Sequence, residues 1–490
     1  MHTMDGNVEH TDVLIVGAGI SGIGTACHLR RELPQKRFVI LEGRSAIGGT
    51  WDLFRYPGVR SDSDMFTFGY AFKPWVEEND IATGESILNY LEETVEEYGL
   101  REHLRFEHRV ERFCWSSEAR RWTAHVRRGD GELVQISADV LVTCTGYYRY
   151  ARGHVPEIEG MEAFAGELVE PQRWPDALEY EGKRVVVIGS GATAVTIVPA
   201  MAEHAAHVTM LQRSPTYIMS RPASDRLAQL MRRYLPEKAA YGLARLKAIA
   251  LQRFLYVISR AQPGRVREYV LRQASAELGD AIDVKTHFNP RYAPWDQRMC
   301  LIPDADLFVA LREGRASVVT DTITRMVPEG LLLKESGEVL PADIVVLATG
   351  LELEFLGGAT MEVDGEEVLS RELVCYRGMM FGGVPNWVAM FGYSSASWTL
   401  KTDLSATFLC RVLEHMEQGG HEVFVPVLED DTLETHSILD NLSSASYVKR
   451  GEDKLPRQGV KLPWRNQDSY FSDFIDLKWR GLEDDVLRFK

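Results

Sequence analysis

Short, wholly apolar runs alternate with stretches of helical period along this chain. Val13-Leu14-Ile15-Val16 leads into Gly17-Ala18-Gly19-Ile20-Ser21-Gly22 and a helix-like stretch through Leu29. The next run, Phe38-Val39-Ile40-Leu41, ends in Glu42. The same figure returns at Val185-Val186-Val187-Ile188, then Gly189-Ser190-Gly191-Ala192-Thr193-Ala194, a second helix-like run, and Val208-Thr209-Met210-Leu211. Apolar runs of four bounded by turn signals read as strands buried on both faces, and strands alternating with helices read as βαβ units on a parallel sheet. The pattern predicts an α/β fold with two Rossmann-like dinucleotide-binding domains.

The rest of the chain fits around these two units. Residues 1–148 read as the first part of the first unit. It contains a hairpin near Arg105–Val126 and closes with Val140-Leu141-Val142 and Thr145-Gly146. Residues 149–224 hold a connector rich in Gly, Pro and Tyr and the start of the second unit. Residues 225–299 turn helical and basic, a helical insertion that could be a lid, a basic face on a membrane surface, or a solvated subdomain face. Residues 300–372 resume the second unit, with strands near Ala316–Val319 and Ile344–Leu347. Residues 373–490 return to the first unit, with a strand at Trp387–Phe391, a helix at Thr399–Glu417 and a polar, loop-rich tail.

Composition narrows the class. With 55 basic against 71 acidic residues the net charge is −16, which argues against nucleic acid as partner. The six cysteines form no Cys-x-x-Cys pair, so neither a disulfide framework, a metal site nor a redox dithiol is indicated. No apolar run reaches the ~18 residues of a membrane span. The polar, acidic start is no signal peptide, and a reducing cytoplasm is the expected location.

The glycine turns carry chemistry. Each follows a buried strand and opens a helix, so backbone N–H groups and the helix dipole face a pyrophosphate. At the first turn the expected contacts are Gly17, Gly19, Ser21 and Gly22. Glu42, ~20 residues on, is placed to take ribose hydroxyls. At the second turn they are Gly189, Ser190, Gly191, Ala192 and Thr193. There the following strand ends in Gln212-Arg213-Ser214 instead of an acid. An arginine pairs with a 2′-phosphate where a carboxylate would repel it, so the second nucleotide is expected to be NADP(H), held by Arg213 and Ser214. Two dinucleotides in one chain suggest hydride transfer from a nicotinamide to a flavin.

Gly48-Gly49-Thr50-Trp51, followed by Tyr56-Pro57-Gly58 and Asp62, resembles a signature of the type I Baeyer–Villiger monooxygenases, relatives of the flavin-containing monooxygenases. The stretch Gly49–Tyr70, the second turn with Gln212–Tyr217, and Pro294-Trp295-Asp296-Gln297-Arg298 are similar to the subgroup of the ethionamide-activating monooxygenase. The resemblance spans nearly the whole chain. It implies FAD at the first turn and NADPH at the second. It also implies further cofactor contacts from Gly49, Thr50, Trp51, Asp62, Val110 and Thr145.

The chemistry so implied is oxidation of a ketone by O2 to an ester or lactone through a C4a-peroxyflavin. Arg298 would be the cation beside the flavin and Asp62 its partner. From the residues alone, Arg298 reads as an ion-pair residue and Asp62 as a turn residue. Tyr393 and Trp398 are placed by the resemblance near the substrate pocket. The alternatives are S- or N-oxygenation, or a non-catalytic redox-sensing protein that binds both nucleotides. The family's linker motif, Phe-x-Gly-x-x-x-His-x-x-x-Trp-Pro, reads Phe164 to Pro175 here with Glu170 in place of the histidine. Glu170 is expected to point away from the nucleotide and to be hydrogen-bonded.

Overall fold

The structure, a computed structural model, describes residues 8–297, 299–429, 433–440 and 446–490. Two separate sheets organise it. The first has nine strands, with a parallel core of Leu104–Arg105, Phe38–Leu41, Glu9–Val16, Leu133–Thr143 and Trp387–Ala389. Leu133–Thr143 is long enough to fork. Its second half pairs parallel with Glu9–Val16 and its first half antiparallel with Arg121–Arg128. Arg121–Arg128 and His108–Ser116 form the expected hairpin, with Trp115 opposite Trp122.

Both faces of the central strands are covered, as uninterrupted apolar runs require. Val13 and Ile15 pack toward the helix side with Ile23 and Phe408, while Leu14 and Val16 pack toward Trp122 and Trp387. The helices Ile20–Glu32 and Trp398–Gly419 lie against each other on the first of these faces. They are tied by His28, whose ring bonds Glu32 and Asp403 at 2.7 Å each.

The second sheet is all parallel, in the order Ala316–Thr320, His207–Gln212, Arg184–Ile188, Ile344–Val346 and Glu167–Val169. Glu167–Val169 comes from the stretch read as connector. Its Val169 is buried and reaches the second core, so the segment is recruited as an edge strand. Conversely, Thr360–Val363, assigned by sequence to the second unit, pairs with His108–Ser116 in the first sheet, where Met361 joins the core with Trp115 and Trp122.

The insertion comprises the helices Arg226–Tyr234, Glu237–Ala261 and Pro263–Leu278. Asp225 caps the first, accepting from the Leu227 and Ala228 N–H groups at 3.0 Å. Pro263 opens the third at its first position, where no intrahelical N–H is needed. The long middle helix docks through buried Arg245, which donates to the carbonyls of Phe66 and Gly69 at 2.7 and 2.8 Å. Those carbonyls would otherwise be orphaned at the end of the short helix Met65–Phe68. No helix among the described residues is long and apolar enough to cross a membrane.

The tail is more ordered than its polarity suggested. The helix Tyr470–Lys478 packs on Trp398–Gly419, and Leu487–Phe489 pairs with Phe424–Pro426. Two of its acids turn to buried cations: Asp473 meets Lys401 at 2.8 Å, and Asp484 meets Arg377 at 3.1 Å. Charged residues that satisfy each other in the interior look like loop composition in a linear reading.

Candidate active site

Register sets the first nucleotide turn. Val16 pairs with Leu41, so Gly17 and Glu42 leave the sheet side by side at its carboxyl edge. Gly17 has φ +108°, and a Cβ there would stand 2.4 Å from the Cys144 carbonyl oxygen. Only glycine lets the turn sit on the neighbouring strand. Gly19 faces Gly49, and Gly22 lies in the first turn of the helix.

Glu42 is buried, accepting from the Ala18 N–H at 2.8 Å and the Arg44 N–H at 2.9 Å. Burial raises its carboxyl above the usual range against the pull of those two N–H groups. A carboxylate so held keeps lone pairs free for a diol. Val110 is buried one strand further on, where the His108 N–H bonds the Glu42 carbonyl at 2.9 Å. Thr145 lies against Gly17 at the end of its strand.

Gly49 has φ +56° and starts the short helix Thr50–Leu53. Thr50 Oγ1 shares a 2.5 Å hydrogen bond with the Tyr148 hydroxyl, and Trp51 meets Phe68 edge-to-face at 5.5 Å. Asp52 joins Arg44 and Arg55 in ion pairs below them.

The second turn repeats the geometry. Ile188 pairs with Leu211, so Gly189 stands beside Gln212. Gly189 has φ +138°, and a Cβ there would lie 2.3 Å from the Ala348 carbonyl oxygen. Gly191 precedes the helix Ala192–Met201, which begins with Ala192 and Thr193. Ser190 Oγ donates to the Ser214 carbonyl at 3.2 Å and bonds Thr216 Oγ1 at 2.8 Å. Arg213 and Ser214 are exposed at the sheet edge.

The two turns open on one cavity of about 1270 Å³. Ile20 and Ser21 of the first helix line it, as do Ala192 and Thr193 of the second, Asp62 and Trp398. The insertion supplies an apolar wall from Leu251, Leu255 and Ile258. Trp398 donates its indole N–H to Ser21 Oγ at 2.8 Å and stacks on Tyr147 at 5.4 Å. Near the apolar wall, Asp80 pairs with Arg221. Burial outweighs that cation and, with the Asp64 carboxylate nearby, lifts the pKa of Asp80 to about 6.

Asp62 is exposed on the cavity wall. Arg298 lies outside the described residues; Trp295 and Met299 on either side of it line the same cavity. Tyr393 turns away from the cavity. It is buried beside Ile249 and Leu400, and its hydroxyl donates to Asp473 at 2.8 Å, an oxygen shared with Lys401. A phenol next to a buried Lys–Asp pair is better satisfied inside than in the pocket.

The Glu170 carboxylate differs from its expectation too. Its Oε2 is buried without a hydrogen-bond partner among the described residues, because Arg173 turns instead to the Ala151 carbonyl. Three residues escaped the sequence reading: Tyr147, Tyr148 and Tyr150. Tyr148 and Tyr150 stack at 5.3 Å, and the Tyr150 hydroxyl covers Gly49. The signal was their place directly after a strand's carboxyl end, where open α/β sheets bind ligands.

Two anion-binding turns that face each other across one apolar cavity define an oxidoreductase built to hold two redox dinucleotides together. The flavin-binding monooxygenase-like family model matches residues 10–231. The FAD-containing monooxygenase EthA of Mycolicibacterium smegmatis is 48% identical over 482 residues, 98% of this chain and 97% of that one. The putative FAD-containing monooxygenase MymA of Mycobacterium tuberculosis is 48% identical over 486 residues, 98% of each. The probable FAD-binding monooxygenase AlmA of Acinetobacter baylyi is 46% identical over 482 residues, 98% of this chain and 96% of that one.

Among solved structures, OTEMO in complex with FAD and NADP superposes with a TM-score of 0.77 at 19% identity, covering 99% of this chain and all of that one. An oxidized steroid monooxygenase bound to NADP gives 0.71 at 22%, covering 86% and 88%. The chain belongs to the flavin-binding monooxygenase-like family.

Proposed function

We propose that this flavin monooxygenase performs Baeyer–Villiger oxidation, inserting one oxygen atom of O2 beside a ketone carbonyl to give an ester or lactone. FAD occupies the first turn and NADPH the second. The observation that carries the reading is the single cavity onto which both helix N-termini and the signature acid Asp62 open. Bound FAD, once reduced by NADPH, supplies O2 activation and oxygen transfer.

The chain's own residues do the rest. The helix at Ile20 and the helix at Ala192 hold the two pyrophosphates by backbone N–H groups. Glu42 takes ribose hydroxyls, and Arg213 with Ser214 takes the 2′-phosphate. The Ser21–Trp398–Tyr147 contact fixes an aromatic floor, and the apolar Leu251–Leu255–Ile258 wall gives water no hydrogen-bonding partner once cofactors and substrate fill the cavity. Water exclusion strengthens a fixed cation's hold on negative charge developing at the ketone oxygen, the role assigned to Arg298, with Asp62 orienting it.

The test is a panel of ketones and sulfides with NADPH and O2, products identified by mass spectrometry, for the parent and Arg298→Ala. The parent should form esters, and the variant should lose ~10²–10³-fold of that rate with FAD retained. Sulfoxides without any ester would move the assignment to heteroatom oxygenation. Bound flavin with neither product would make the chain a redox-sensing binder.

A further inference from the structure

The helix Glu237–Ala261 spends three faces differently. Ala244, Arg245 and Ala248 pack on the first domain, and Leu251, Leu255 and Ile258 line the cavity. The third face is solvent-exposed and uncovered among the described residues. It carries Ala239, Leu243, Leu246, Ala250 and Val257, with Phe254 at its margin, where the ring also lines the cavity. At 3.6 residues per turn these fall within an arc of roughly 80° that runs most of the helix's length of about 37 Å. Leu246 is 54% exposed and Phe254 60%. The preceding helix Arg226–Tyr234 adds Leu230 and Tyr234 four residues apart, with Tyr234 72% exposed, while its Leu227 faces the cavity. Scattered exposed leucines need no explanation; exposed apolar residues at helical spacing on two helices that pack together do.

Charge says what covers it. Between Arg226 and Leu278 the chain has eleven Lys and Arg against three acids, Glu237, Glu268 and Glu277, while the whole chain is at −16. Arg233 and Lys238 are exposed on the two stripe-bearing helices, and the Arg233 guanidinium lies 5.8 Å from the Tyr234 ring centroid. An apolar stripe with a basic, tyrosine-bearing rim is the chemistry of a helix lying in a bilayer interface. The acidic remainder of the molecule does not cancel the attraction, because charges beyond ~8–10 Å are screened at ordinary salt. A second copy fits worse, since pairing the faces would set two positive rims against each other.

We infer that the insertion helices Arg226–Tyr234 and Glu237–Ala261 form a docking face for an anionic phospholipid surface. The apolar stripe sits among the acyl chains and the basic rim among the headgroups. The same helix lines the cavity on its adjacent face, so the docked enzyme would hold its substrate cavity next to the lipid.

The test is co-sedimentation of FAD-loaded full-length protein with vesicles of phosphatidylcholine alone or mixed with phosphatidylglycerol, read by flavin absorbance in the pellet. Leu243→Ser/Leu246→Ser/Val257→Ser alters exposed positions outside the cavity wall, and Arg233→Gln/Lys238→Gln removes rim charge. The protein should pellet with the anionic vesicles and not with phosphatidylcholine, and high salt should release it. The triple serine variant should stay in the supernatant with its FAD content unchanged. Each lost rim charge should weaken binding by roughly fivefold. Parent protein that stays in solution with anionic vesicles would overturn the inference. So would serine variants that bind like the parent, or a parent dimer that these serines split, which would give the face to a second copy.

Discussion

Replacing Arg213 with alanine should weaken NADPH and leave NADH alone. The residue stands exposed at the end of His207–Gln212, next to Ser214, where no carboxylate follows the strand. A hydrogen bond to a charged group contributes about 1.5–3 kcal/mol. Two structural facts place Arg213 at the low end. Its side chain is in solvent, so screening is strong. It is also not the only cation there. Arg450 feels it electrostatically: burial lowers the Arg450 pKa, Glu352 opposes this, and Arg213 adds to the lowering. Arg450 would keep part of the attraction for a phosphate after Arg213 is gone.

The expected loss is therefore about 1.5 kcal/mol, near tenfold in NADPH affinity. The assay is anaerobic stopped-flow reduction of the bound flavin at varied NADPH and NADH, which yields a dissociation constant for each. The ratio between the two cofactors should collapse by about that factor. Equal weakening of both, or of neither, would remove Arg213 from the 2′-phosphate site and with it the argument from the missing acid.

Gly189→Ala forces a side chain onto φ +138° and against the Ala348 carbonyl oxygen, so NADPH binding should fail by about 1–3 kcal/mol of strain. FAD content should remain, since the first sheet is separate; unaltered flavin reduction would refute this. His28 is pulled down by burial, but its hydrogen bonds to Asp403 and Glu32 win and raise its pKa to about 9. A group raised above its unfolded value of about 6.5 stabilises fully below that pH, and the gain fades as pH rises through about 9. Scanning calorimetry should show up to about 3 kcal/mol lost over that window, and His28→Gln should flatten the slope. Glu170→His replaces a carboxylate whose Oε2 is buried without a partner among the described residues, so turnover or peroxide release should change with FAD content constant. A variant matching the parent in both would make the position an ordinary linker residue.

The sequence by itself determined the two nucleotide units, because their information is local. A buried strand, a glycine turn and a helix start are contiguous, and the register that sets Gly17 beside Glu42 follows from two apolar runs of equal character. The place of Arg213 was legible for the same reason: it directly follows the end of one strand. The basic insertion and its helices also show in linear composition.

What only the tertiary structure decided depends on residues far apart in the chain. Trp398 reaches Ser21 across 377 positions and Tyr148 reaches Thr50 across 98, so no window of sequence contains either contact. Tyr393 looked like a pocket residue until Asp473 and Lys401, from the tail and the helix before it, took its hydroxyl into the core. Asp473 and Asp484 stand in a tail that read only as polar and loop-rich, because their partners Lys401 and Arg377 lie far off in the chain. The membership of Glu167–Val169 and Thr360–Val363 in their sheets was settled by which edge strand had unpaired backbone to offer. Local pattern carries strands, turns and helices; the side chains that close a cavity are chosen by packing in three dimensions.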